Sequence, residues 1–300
     1  MQILYSMSRD PELTVPKALS TFRANINSSY ELYLFNLYVL VRVAGFAEED
    51  AKRKLAKLLP SEEDKSFLPI LQTNGLIQSL AEHRFLQAYI RTKKFDEIVD
   101  QDIPRKLYIA NAKADSYKAY SRQTEWEEGE HRQALLDLFK TMSGHELYED
   151  LMEDHYPSWI DDRSLILGSI KKTIKALPAN EDFHEAYRPS DETSKEFGEV
   201  LLERVNTDDQ ALLDIIEPTL KNWDADRVAV IDMILLKMAI CELMSFPTIP
   251  TKVTLNEFVE ISKLYSTDKS KDFINGILDR LLKKLDADGK INKEGRGLVE

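Results

Sequence analysis

Apolar residues recur every three or four positions along most of this chain, and that period decides what it can fold into. Phe22, Ile26, Tyr30, Tyr33, Leu34, Leu37 and Val41 follow it early, and Phe273, Ile274, Ile277, Leu278, Leu281, Leu282 and Leu285 repeat it near the end. A helix advances about 100° per residue, so each set shares one face, which marks amphipathic helices and not strands. Turn formers are correspondingly scarce. Ten Gly and eleven Pro in 300 residues are roughly half the usual share of ~12%. The fold class read from this is all-α, with under about a tenth of residues in strands against the usual 20–25%.

The pattern also divides the chain. The opening residues Ile3, Leu4 and Met7 share a helical face and no cap precedes them, so the sequence starts as if inside a helix. A long helix follows from about Pro16, Gly45 interrupts it, and a further helix runs from Glu48 to Leu59. Between about 60 and 123 the signal weakens to short helical pieces, which reads as a helical insertion. Pro178–Ser190, with two prolines and mixed charge, reads as a linker. The last third is the most regular, with helices expected at about 192–205, 208–221, 225–245, 254–265 and 270–285. Thr254 and Glu257 have the spacing of a capping box. Gly276, inside the last apolar stripe, should cost roughly 1 kcal/mol relative to Ala and so implies close backbone approach. The domain reading is a helical subdomain over 1–185 that includes the insertion, a helical core over 190–286, and a flexible tail over 287–300.

Charge and chemistry exclude several functions. The formal net charge is −12, which argues against a free-standing nucleic-acid binder, since phosphate contacts need a basic surface. The excess is uneven: 13 bases and 13 acids in residues 1–100, 13 and 21 in 101–200, 14 and 18 in 201–300. A surface outside the middle third can still face RNA. The lone Cys241 cannot pair internally, which suits a reducing cytoplasm, and on its apolar helix it reads as a buried, inert thiol. No apolar run approaches the ~18 residues of a membrane span, and no secretory signal opens the chain. Two Glu-x-x-His pairs, Glu128 with His131 and Glu181 with His184, lie in an acidic run and in the linker, which is the wrong setting for a bundle metal site. In the Asp286–Ile291 turn, aligning Gly289 as a calcium loop would require puts Lys284 and Gly295 at ligand positions. No phosphate loop, nucleophile elbow or zinc spacing occurs. The expectation is no enzyme, no metal and no cofactor.

The string Ile249-Pro-Thr-Lys-Val253-Thr-Leu-Asn256-Glu257, followed by Phe273-Ile-Asn275-Gly276-Ile-Leu-Asp279, resembles the NusB family of bacterial transcription antitermination factors. Trp223, Asp226-Arg227, Asp232, Ala239 and Glu242-Leu243 extend the resemblance, which covers about 195–285 well and reaches back to Gln2–Ser6 as the end of the family's first helix. The middle third is similar to the long, Bacteroidetes-type members that carry an insertion. The resemblance implies a NusB-like helical bundle of two subdomains with a helical insertion, and a cytoplasmic role without catalysis. It implies partners as well: NusE, the small-subunit ribosomal protein, boxA-type RNA in ribosomal RNA leaders, and through them the RNA polymerase antitermination complex. In the family an arginine-rich segment precedes the first helix and supplies phosphate contacts. Here the sequence begins at Met1 within that helix, so this chain is expected either to start at an internal methionine or to lack the arm. The alternative reading is a helical protein-interaction scaffold of the same fold without direct RNA binding.

Under the resemblance, Tyr5, Lys269, Ser270 and Phe273 are the RNA-binding candidates. Phe273 offers a ring on which a base can stack, while Lys269 and Ser270 lie just before it and can reach phosphate. Asp232, with Arg227 beside it, is the candidate surface for a basic ribosomal protein, because opposite charges steer association. Asn256 and Asn275 are expected to bond backbone, and Trp223 to anchor the core.

Overall fold

A computed structural model of the chain describes residues 1–220, 228–267 and 269–298. Among these residues there are helices and no strand. In chain order they are α1 (Gln2–Arg9), α2 (Val15–Leu55), α3 (Glu62–Ser66), α4 (Ile70–Thr73), α5 (Gly75–Ala81), α6 (Arg84–Lys93), α7 (Phe95–Ile98), α8 (Asp102–Ala112), α9 (Asp115–Ser121), α10 (Glu128–Ser143), α11 (Glu146–His155), α12 (Trp159–Ala176), α13 (Val200–Thr207), α14 (Asp209–Ile216), α15 (Val230–Ser245), α16 (Thr251–Tyr265) and α17 (Ser270–Ala287). A π-helical stretch, Glu192–Glu199, runs into α13. Two compact units result, Met1–Ile26 with Pro189–Glu300, and Asn27–Arg188. The first 26 residues, grouped by sequence with the N-terminal half, therefore share a unit with the C-terminal helices.

In the first unit α15 is the central element. Its sequence is apolar all round, and Leu235, Leu236, Ala239, Ile240 and Leu243 are all fully buried, which is how a helix without a polar face must sit. α16 and α17 pack on it and on each other, α13 and α14 add their faces, and α1 packs against it as well. On α17, Ile274, Ile277, Leu278, Leu281 and Leu285 are buried. At about 1.5–3 kcal/mol each, this stripe contributes on the order of 10 kcal/mol, which outweighs the cost of one glycine. Gly276 itself is not at a close approach, because a Cβ there would meet nothing within 4 Å. Close packing instead occurs at Gly198, whose missing Cβ leaves room for the Phe22 ring of α2, and at the buried Gly297, which lies on the Pro247 backbone.

Two further sequence expectations change here. α16 begins at Thr251 with Pro250 as its cap, so Thr254 is interior and fully buried, and its hydroxyl bonds back to the Pro250 carbonyl at 3.4 Å. Pro250 starts the helix a turn early, and the Thr254–Glu257 capping box does not form. Residues 290–298, read as a flexible tail, dock on the loop after α15. The Glu294 amide and the Lys293 ammonium donate to the carbonyls of Pro247 and Phe246, each at 2.9 Å, and Ile291 packs against the core. Trp223, the expected core anchor, lies outside the described residues.

The second unit is built round Asn27–Leu55 of α2. Gly45 does not interrupt this helix: Val43, Ala44 and Ala47 around it are buried in the core, and that packing overrides a local cost of about 1 kcal/mol. The insertion helices α3–α9 bury Leu71, Leu80, Leu86, Phe95 and Leu107 in the same core as α10–α12. Several buried polar side chains are paired, although the amide nitrogen of the buried Asn111 meets no hydrogen-bond partner. Asn36 donates to the Leu32 carbonyl at 2.8 Å and accepts from Tyr148, and Tyr33 meets Thr173 at 2.8 Å. The segment 178–188, read as a linker, packs in this unit: His184 is buried, stacks on Phe85 and bonds Tyr30 at 3.1 Å.

Candidate functional site

The helix-start carboxylate of α15 and the turn before α17 meet in the first unit. Asp232 stands in the first turn of α15 and is only 5% exposed. The Ser266 hydroxyl donates to its Oδ1 at 2.5 Å and the Ser270 hydroxyl to its Oδ2 at 2.8 Å. Thr267 Oγ1 lies 2.8 Å from Ser270 Oγ, and since Ser270 gives its proton to Asp232, Thr267 is the donor of that contact. The Ser270 amide closes the turn on the Thr267 carbonyl at 2.8 Å. Ser270 is 3% exposed, so its hydroxyl is directed inward and not toward an external phosphate.

Lys269 is the N-cap residue of α17 and is exposed, as is Lys271. The N-terminus of this 18-residue helix carries partial positive charge and suits an anion. Phe273, one turn in, is half-buried and packs at the edge of the core stripe. Tyr5 is 37% exposed on α1, with the Arg9 guanidinium 5.3 Å from its ring centroid, a cation–π spacing.

The structure thus brings Asp232, Ser270, Lys269 and Phe273 together at one end of α17. It places Tyr5 on α1, which packs on α15. Arg227 lies outside the described residues. Asn256 and Asn275 both stand exposed on their helices. Reading the sequence alone missed Ser266, Thr267, Lys271 and Arg9. The hydroxyl spacing Ser266–Ser270 and the Tyr5–Arg9 spacing, each i to i+4, were the available signals. Between α1, α13, α14 and α15 lies a cleft of about 470 Å³, lined by Leu4, Met7, Val205, Met233 and Lys237. Lys237 closes on Asp209 at 2.5 Å.

The thiol and the two histidines weighed from sequence as nucleophile or metal ligands are buried or hydrogen-bonded. Burial pushes the Cys241 thiol up to about 11, so it is a thiol and not a thiolate near neutrality. Burial raises Glu242 also, against the Thr254 hydrogen bond and the charge of Lys293. His131 Nδ1 is bonded to the Tyr120 hydroxyl at 2.7 Å and His184 Nδ1 to that of Tyr30, so one ring nitrogen of each Glu-x-x-His histidine is engaged by a phenol. Among the described residues no group of three or more His, Cys, Asp or Glu side chains could hold a metal ion. No helix among them is long and apolar enough to cross a membrane.

Comparison with known proteins supplies the remaining constraint. The profile of the NusB family matches residues 165–283. The transcription antitermination protein NusB of Salinibacter ruber is 38% identical over 140 residues, which span 43% of this chain and 88% of that protein. Its counterpart in Chloroherpeton thalassium is 47% identical over 79 residues, 26% of this chain and 37% of that one. That of Natranaerobius thermophilus is 40% identical over 87 residues, 29% and 63% of the two chains. No solved structure matches.

Proposed function

This chain belongs to the NusB family, whose role is transcription antitermination, and on that premise we propose that it binds boxA-type RNA together with NusE as part of the RNA polymerase antitermination complex. The reading is of a cytoplasmic binding subunit that performs no catalysis and needs no cofactor. The observation that carries it is the start of α17, where an anchored turn holds Lys269 in solvent at a helix N-terminus with the half-buried Phe273 one turn away. A phosphate there meets an ammonium and the helix dipole, and a neighbouring base meets a π-face. Tyr5 and Arg9 on α1 offer a second exposed aromatic–cation pair for RNA. For the partner surface we propose Arg227, whereas Asp232, buried and engaged by Ser266 and Ser270, is not presented to a partner.

The acidity of the whole chain limits what it does alone. With a net charge of −12 and few exposed cations at the site, RNA affinity has to be completed by a basic partner, which an acidic surface also steers into place. The reading is tested by Lys269→Glu in the presence of NusE. RNA binding should weaken and its salt dependence become shallower, since a phosphate contact is lost. Unchanged affinity and slope would remove α17 from the interface.

A further inference from the structure

We infer that Asp232 is a positioning residue: it fixes the turn before α17, through Ser266 and Ser270, so that Lys269 is held ready for an RNA phosphate. The inference rests on the proposed RNA-binding role and goes beyond it in assigning the carboxylate a task that sequence alone placed on the partner surface.

A carboxylate that is 5% exposed is tolerated only if its oxygens are hydrogen-bonded. Here both are, and the donors come from a segment 34 and 38 residues further along the chain. Those donors sit at the two ends of the turn, Ser266 where α16 has just ended and Ser270 at the first residue of α17. One carboxylate therefore pins entry and exit at once, and Thr267 adds its hydroxyl to Ser270 at 2.8 Å. Lys269 stands between the pinned points with its side chain in solvent. A lysine on a free loop loses backbone and side-chain freedom when it grips a phosphate, whereas one on a fixed turn loses only the latter. The arrangement also argues against Asp232 as a direct contact, since a partner could reach its oxygens only by displacing two serine hydroxyls.

The test is a double-mutant cycle on the full chain with NusE present, using a boxA RNA oligonucleotide across a salt series. The four proteins are wild type, Asp232→Asn, Lys269→Ala and the double variant. Asn keeps the shape but cannot accept from both serines. Each single variant should lower the slope of log affinity against log salt by ~0.7, the share of one single-stranded phosphate contact. The double variant should lose no more than either single one, because both remove the same contact. NusE affinity should match wild type in all four. Additive losses would overturn the inference, as would an Asp232→Asn protein that loses NusE but keeps its RNA slope. Wild type failing to bind the RNA at all would instead refute the functional reading, and this inference with it. Should Asp232→Asn lose its helical circular dichroism, Ser266→Ala leaves the carboxylate and one donor in place and must show the same slope loss, or the inference fails.

Discussion

Phe273 separates packing from recognition at one side chain. Truncating a fully buried Phe to Ala costs about 3–5 kcal/mol. The neighbouring Ile274 and Ile277 are buried, but Phe273 is only half-buried at the rim of their cluster, so about 2 kcal/mol is expected. At ~2–4 °C per kcal/mol for a protein of this size class, Tm should fall by roughly 4–8 °C. A base stacked on the Phe273 ring would add ~1–3 kcal/mol to RNA binding, so its loss costs about 5- to 150-fold in affinity. Phe273→Leu isolates the second effect, because it retains most of the apolar volume and removes the π-face. Calorimetric melting and fluorescence anisotropy with boxA RNA, on the same samples with NusE present, read both quantities. Phe273→Leu should melt within about 3 °C of wild type and bind RNA at least several-fold more weakly. If it binds RNA as wild type does while Phe273→Ala melts early, the ring is a core residue and the stacking argument is wrong.

Two further outcomes follow from the packing. Gly198→Ala places a methyl against the Phe22 ring; overpacking costs about 1–3 kcal/mol and better helix propensity returns about 1, so a net loss of about 1 kcal/mol is expected by urea denaturation, and it should disappear in a Phe22→Leu background. The same loss in both backgrounds would contradict the contact. His184 has its pKa lowered from 6.5, first by burial, so its contribution to stability is full above that value and lost as pH falls through the lower folded-state pKa; wild type should therefore lose more of its urea midpoint between about pH 7.5 and about pH 5.5 than His184→Gln does, and equal losses would show that the ring is not the titrating group.

What was legible in the sequence followed the strength of the periodic signal. The α17 stripe and the largely apolar α15 were readable because many side chains, each worth about 1.5–3 kcal/mol when buried, outvote any single residue. Where one residue had to decide alone, the reading failed. Gly45 and Gly276 looked like constraints but sit in open space within helices, while Gly198 and Gly297, which do meet neighbours, carry no local mark. Tertiary pairing was also invisible: Asp232 looked like an exposed helix charge because its two serine donors lie more than thirty residues away. The segment 178–188 reads as polar and Pro-punctuated, yet His184 is held by an aromatic cluster from helices far off in sequence. Tyr5, Lys269 and Phe273 were proposed through family resemblance alone, since nothing local singles out one lysine or aromatic from any other.

The central claim is that this chain reads boxA-type RNA as half of a pair. It is tested most directly by titrating labelled boxA RNA and a scrambled control, at physiological salt, with the chain alone, NusE alone and the two together. The account predicts weak binding by the chain alone, with a shallow salt dependence, and a marked tightening for boxA over the scrambled RNA when NusE is added. Nanomolar binding by the unpartnered chain, or no gain on adding NusE, would contradict it.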